Sequence, residues 1–467
     1  MNSSVLRNSS SAAASIALIL MTSASLLLSG CSLAPAGAVA VKGSALHGTI
    51  YGGQQPVTGA TLQLYAAGNT TYGVGYNAGN SALIPAGSYY LGGAPGCVAS
   101  GSQTCYANVV SDGSGSFTIT NDYPCPTSTT PVYLVATGGS SANGSAANPN
   151  LGLMVALGAC GLLSSSTSVS LNELTTVASI WALSPFMTSI ANIGTSATNS
   201  QGLLNAFAAV NKVVNIGSGS FPGPALPANA TLPIAKLNTL ADILASCINS
   251  TGGTSGDHSG CGNLFAAATV NGVAPTDTIT AAMNIAQHPG SSVNALLAIP
   301  SINDPFQPIV SATSPPTDWT IAINYQGGGL STPKGIAVDS SGNVWLPNYG
   351  NSSVTELNNT GAAVSGSSGY TVGSINLPVA IAVDVSGNAW IANSATVTEI
   401  SASGLTGTNF SGGGLSTPKG VAVDAIGNIW IANSGNNSVT EISTSSTLTN
   451  YNGAGLTTPI AIAISPK

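Results

Sequence analysis

Three histidines, His47, His258 and His288, are all the sequence offers as neutral-pH proton carriers, and each precedes residue 300. A general base near pH 7 is most often a histidine or a carboxylate whose environment raises its pKa. Glu173 and Asp242 invite a paired-carboxylate reading, but helix capping and solvated helix faces account for both. The run Asp257-His258-Ser259-Gly260-Cys261 gathers ligand types for a metal, yet a loop closed by a disulfide explains it without one. Asp339, Asp384 and Asp424 recur with the same neighbours and could be taken for calcium ligands, although turn chemistry alone requires them. Glu356, Glu399 and Glu441 recur likewise, as architectural hydrogen bonders or edge groups. No two cysteines have the C-x-x-C spacing of zinc ligands. The residues therefore point to no catalytic constellation, no metal and no cofactor.

Charged residues make up 4% of the 467-residue chain, against about 25% in ordinary soluble proteins. Serine, threonine, asparagine and glycine must wet the surface instead. The net charge of −7 and the absence of a lysine/arginine cluster argue against nucleic acid as a partner, because phosphate binding rests on grouped cations. With 57 glycines and 26 prolines, the chain should be mainly short strands joined by tight turns.

The first thirty residues combine Arg7, an apolar stretch from Ala12 to Leu28 and small residues before a cysteine, the order of an export signal. Leu28-Ser29-Gly30-Cys31 resembles the bacterial lipobox, which implies cleavage before Cys31, lipidation of its thiol and membrane attachment through that lipid. Ser32 stands where the same family analogy places an inner-membrane retention aspartate, favouring the outer membrane of a Gram-negative host. Six cysteines remain: Cys97, Cys105, Cys125, Cys160, Cys247 and Cys261. An even number in an exported chain indicates disulfides. Cys97 with Cys105 and Cys247 with Cys261 would close short Gly/Ser-rich loops, leaving Cys125 with Cys160, but spacing alone does not fix the pairing.

These features sit in a multidomain, mainly β chain. A signal peptide at 1–30 and a tether at 31–45 lead to a β-sandwich over 46–145, whose strands at Leu46–Tyr51, Ala60–Tyr65, Ser116–Thr120 and Val132–Ala136 alternate with period two. Pro56-Val-Thr-Gly-Ala60 and Asp112-Gly-Ser-Gly115 between those strands resemble carboxypeptidase-regulatory-like sandwich domains, which implies a spacer or adhesion module. Helical spacing takes over at 150–300, a small all-α domain. Its first helix is expected to start from a capping box, Ser170-Leu-Asn-Glu173, and further helices at Leu203–Val214, Ile234–Ile248, Leu264–Ala268, Ile279–Ala286 and Val293–Ile299. A proline-rich linker over 301–317 precedes the last region, 318–467.

That region repeats. Pro333, Pro378, Pro418 and Pro459 are 45, 40 and 41 residues apart, each followed in the first three units by Val-Asp, then Gly-Asn, then Trp. The turn residues are Asp339, Gly342 and Asn343; Asp384, Gly387 and Asn388; Asp424, Gly427 and Asn428. Trp345, Trp390 and Trp430 are the expected blade-core residues. The pattern resembles the NHL β-propellers and the related streptogramin-lyase-like group, which implies stacked four-stranded blades, about three of them complete. Trp319–Tyr325 is expected as an outer strand before the first unit and Pro459–Ile464 as an inner strand after the third. An open arc, a ring completed by another copy and a truncated gene are all compatible with that count. The lyases of the group use His and Glu with a divalent metal; this region contains no histidine to fill their positions, so the lyase is the disfavoured alternative. The expected role is binding or scaffolding of a protein or glycan outside the cytoplasm, with a purely structural envelope protein as second alternative.

Overall fold

The computed structural model describes residues 41–76, 82–84, 109–120, 123–141, 146–300, 304–453 and 455–464. Cys31, Cys97, Cys105 and the signal segment lie outside these residues. These described residues belong to a single compact unit.

Two four-stranded sheets open it. In one, Val109–Val110, Thr61–Ala66, Pro131–Thr137 and Gly152–Ala159 lie side by side, all antiparallel. In the other, Leu46–Gly52 pairs with Ser116–Ile119 and Gln55–Pro56, and in parallel with Ser168–Leu171. The alternation read from Leu46–Gly52 is the alternation of its burial, with Leu46, Gly48, Ile50 and Gly52 inward. Gly152–Ala159 and Ser168–Leu171 were expected within a helical stretch and are strands. The first five residues of Gly152–Ala159 are buried without alternation, because helix Glu173–Leu183 covers the side a half-exposed strand would turn to water. A strand buried on both faces carries no period-two signal.

Helices Glu173–Leu183, Ser200–Val213, Ile234–Ile248, Gly260–Ala267, Thr278–Gln287 and Val293–Leu297 follow. They share one hydrophobic core with the two sheets, running from Leu46 through Val155, Ile180 and Leu244 to Trp319. The strands expected as a sandwich and the helices expected as a separate domain thus pack around a common interior. The helix at 173 starts differently from the capping box Ser170/Glu173. Asn172 is the cap: its side chain accepts from the Thr175 N–H at 2.9 Å, and the Thr175 hydroxyl accepts from the Asn172 N–H at 3.0 Å. Two disulfides, Cys125–Cys160 and Cys247–Cys261, cross-link this body.

Residues 306–310 of the proline-rich stretch lie against helix Ile234–Ile248. Phe306 is buried, the Val310 N–H donates to the Thr239 hydroxyl at 2.8 Å, and the Asn238 amide donates to the Pro308 carbonyl at 3.1 Å. The Trp319–Tyr325 segment also differs from expectation. Trp319 is fully buried in the body core, and Asn324–Tyr325 pairs with Ala230–Thr231. Its apolar residues find a deeper site there than at the edge of a sheet.

Beyond residue 326 come three propeller-like sheets in chain order. The first has strands Ala337–Val338, Val344–Asn348 and Ser353–Leu357, with Tyr370 bridging to Val354. The second has Ala380–Val383, Ala389–Ala392, Val397–Ile400 and Gly407–Phe410. The third has Pro418–Val423, Ile429–Asn433, Ser438–Ile442 and Leu448–Asn452. The sheets laminate face to face. Trp345, Val354, Ile381 and Ile391 fill the first interface, and Trp390, Val397, Phe410, Ile429 and Ile431 the second.

Candidate binding surface of the repeats

Each sheet joins its first two strands through the same polar turn. In the second, one oxygen of Asp384 accepts from the N–H groups of Ser386 and Asn388, both at 2.9 Å. The other accepts from the Asn388 amide at 3.1 Å and the Trp390 indole at 3.0 Å. Asp339 and Asp424 make the corresponding bonds, with Trp345 at 3.2 Å and Trp430 at 3.0 Å. Gly342, Gly387 and Gly427 close these turns at φ of 81°, 86° and 93°, a region side chains disfavour. Burial works to raise the carboxyls of Asp339 and Asp424, but the indole, amide and backbone donors outweigh it and hold both below the usual range. The four donors occupy the carboxylate, so the turn explains the aspartates that a calcium site would also need.

The glutamates are explained in the same way. The Tyr370 hydroxyl donates to Glu356 at 2.8 Å, and that of Tyr451 to Glu441 at 2.7 Å. The second sheet carries Phe410 at that register, and Glu399 is raised by burial and by the Asp384 charge. At the opposite end, buried Asn348 and Asn433 donate to Thr355 and Thr440, both at 2.9 Å, and Asn393 to Thr398 at 2.8 Å. Sequence reading found the aspartate turns but missed the indole bond; the constant six-residue step from Asp to Trp was its signal.

On the turn end, the loop that follows the third strand of each sheet is tied to the Asp turn. Asn359 donates to the Ser341 carbonyl at 3.3 Å, while Asn388 and Asn428 accept from the N–H groups of Ala402 and Thr444 at 3.1 and 3.2 Å. These pinned loops display aliphatic side chains to solvent: Val364 is 50% exposed, Val385 91%, Leu405 76% and Ile426 76%. The body reaches the same end of the first sheet, where the Asn229 amide donates to the Gly361 carbonyl at 3.1 Å.

The candidates in the body separate. Glu173 and Asp242 were expected at a cap and on solvated faces; both are fully buried. Glu173 takes the first helical position and turns inward, accepting from the Gly53 N–H at 2.7 Å. Burial pushes its carboxyl up to about 8, only partly opposed by that bond and its own backbone, with the Asp242 charge adding to the rise. Asp242 accepts from the Phe306 N–H at 3.1 Å and is pushed to about 7, first by burial and then by Asp304. Among the described residues, Glu173 Oε2 and Asp242 Oδ2 have no hydrogen-bond partner. Asp257 binds the Thr254 and Ser259 N–H groups at 2.6 and 2.9 Å, and the Ser259 hydroxyl caps helix Gly260–Ala267. Among the described residues, no three His, Cys, Asp or Glu side chains converge on a metal position. No described helix is long and apolar enough to cross a membrane.

No family model matches the sequence, and no curated protein matches it. Solved structures with a partial likeness include a streptogramin B lyase, 18% identical with a TM-score of 0.25, over 27% of this chain and 42% of that one. Another is the virginiamycin B lyase from Staphylococcus aureus, 17% identical with a TM-score of 0.24, over 26% and 42%. A third is the extracellular domain assigned to a hybrid two-component system from B. thetaiotaomicron, 22% identical with a TM-score of 0.24, over 28% and 19%. The chain spans less than half the length of each.

Proposed function

We propose that this is an exported protein, lipid-anchored at Cys31 and sorted to the outer membrane, whose repeats bind a protein partner on the turn end of the blades. One observation carries the reading: Val364, Val385, Leu405 and Ile426 are exposed on loops that the Asp turns and Asn ties hold fixed. Exposed aliphatic groups on preorganised loops favour association, because burying them releases water while little loop entropy is lost. Aliphatic rather than aromatic side chains favour a protein over a glycan. Two buried disulfides and the lipobox-like Leu28–Cys31 support a location outside the cytoplasm.

A photo-crosslinking residue at Val385 should capture a defined envelope protein in intact cells, and Leu405→Asp with Ile426→Asp should abolish capture. Absence of a crosslink, or binding to a polysaccharide array instead, overturns the protein-partner reading. Incorporation of labelled palmitate that persists in Cys31→Ala overturns the anchor. Turnover of a macrocyclic ester by the purified chain would restore the lyase alternative, for which the repeats hold no histidine.

A further inference from the structure

The body holds a cavity of about 300 Å³, separate from the blade loops. It opens where strand Thr61–Ala66 ends, where its neighbour Pro131–Thr137 begins and where helix Ser200–Val213 starts. Its deepest lining includes Ala67 and Leu203, each 2% exposed, and buried Pro131. Two larger side chains, Tyr76 and Leu204, line it nearer the solvent and are each 39% exposed. Asn69, Thr127, Thr129 and Ser200 add amide and hydroxyl groups, and no charged residue lines it.

The walls are held in place by the fold itself. The Thr127 hydroxyl accepts from the Thr130 N–H at 3.0 Å and lies within hydrogen-bond reach of the Thr129 and Thr130 hydroxyls, at 3.2 and 2.8 Å. The Cys160 N–H donates to the Thr130 carbonyl at 2.9 Å and the Gly161 N–H to the Ser128 carbonyl at 2.8 Å, beside the Cys125–Cys160 disulfide. Opposite this loop, the Ala67 N–H donates to the Pro131 carbonyl at 2.9 Å and the Tyr76 N–H to the Ala66 carbonyl at 3.1 Å. Among the described residues, no hydrogen bond takes up the Asn69 amide, the Tyr76 hydroxyl or the Ser200 hydroxyl.

We propose that this cavity binds a neutral sugar residue. Its volume lies at the lower end of the range for ligand sites, about 300–1,000 Å³, which suits one ring rather than a chain. A charged ligand would give up its hydration without meeting a counter-charge. A wholly apolar ligand would strip water from the amide and hydroxyl groups and offer them no partner. A pyranose meets both demands: its C–H face packs on Tyr76 and Leu204, and its hydroxyls, each donor and acceptor, reach Asn69, Ser200 and the threonines. Loops fixed by a disulfide and backbone bonds lose little entropy when the ring enters. The inference does not depend on what the blade loops bind.

The test is titration of the purified full chain carrying Cys31→Ala with the methyl glycosides of glucose, galactose, mannose and N-acetylglucosamine, followed by saturation-transfer NMR. Glucuronate and cyclohexanol are the controls. The expected result is saturable binding of at least one neutral glycoside and of neither control. Leu204→Trp, which places an indole in the opening, and Tyr76→Ala, which removes the ring, should each weaken binding about tenfold. Ser200→Ala, on the exposed first turn of its helix, should weaken it about threefold to tenfold, and this readout survives if the larger changes disturb folding. Leu405→Asp with Ile426→Asp, which breaks capture by the blade loops, should leave sugar binding unchanged. Four ways the proposal is overturned are distinct: no saturable binding of any of the four glycosides, equal binding of a control, binding unaltered in folded Leu204→Trp and Ser200→Ala, or binding lost in the blade-loop variant, which would place the sugar on the repeats.

Discussion

The indole N–H of Trp390 donates to Asp384 Oδ2 at 3.0 Å, tying the buried ring of one strand to the turn that precedes it. The same carboxylate holds three further donors, so its loss would strand four groups at once. Asp384→Ala should cost about 2–3 kcal/mol, since hydrogen bonds to a charged acceptor contribute about 1.5–3 kcal/mol each when buried and these are partly solvated. Urea unfolding followed by tryptophan fluorescence checks it. A change within error would mean that the turn holds without its carboxylate.

Tyr370 and Tyr451 bond Glu356 and Glu441, while Phe410 faces Val397 at the same register beside an unbridged Glu399. Phe410→Tyr should supply the missing bond and stabilise the repeats by about 0.5–1.5 kcal/mol. The midpoint of chemical denaturation should rise.

Burial raises the Glu173 carboxyl from the usual 4.5 to about 8. A raised folded pKa means that the folded state holds the proton more tightly. The stability this gives is fully present below about pH 4.5 and is lost as pH rises towards 8, at up to about 1.4 kcal/mol per pH unit. Glu173→Gln keeps an acceptor for the Gly53 N–H and carries no charge. Its stability between pH 5 and 8 should therefore fall less steeply than that of the parent chain, as a series of urea titrations across roughly that interval would show. Asp339 and Asp424 act in the opposite sense. Their lowered carboxyls contribute stability above the usual carboxylate pKa, which disappears as acid protonates them.

Cys125–Cys160 and Cys247–Cys261 both cross-link the body and neither touches the repeats. Reduction should lower body stability by about 2–4 kcal/mol per bridge. Hydrogen exchange should show the loss in 41–325 and leave the protection of Ile391 and Ile431 in place.

Gly48 lies where the parallel pair formed by Leu46–Gly52 and Ser168–Leu171 comes closest, and a Cβ there would run into the Val169 carbonyl oxygen. Gly48→Ala should destabilise by about 1–3 kcal/mol or more, the usual cost of overpacking, because backbone cannot swing aside as a side chain can. A melting temperature matching the parent chain would show that the strands separate without penalty.

The sequence alone determined what is local. The Asp, Gly and Asn turn residues, the alternation in Leu46–Gly52 and the helix Ile234–Ile248 depend on neighbours a few positions away, so composition and period reveal them. Tertiary structure decided where partners come from far along the chain. Gly152–Ala159 lost its alternation because a helix covers its second face. Trp319 went to the body core rather than to a blade. Glu173 took a buried position facing Gly53, 120 residues away. Burial on two sides and pairing at long separation leave no periodic trace, because the free energy that selects them belongs to surfaces that exist only once the chain has folded.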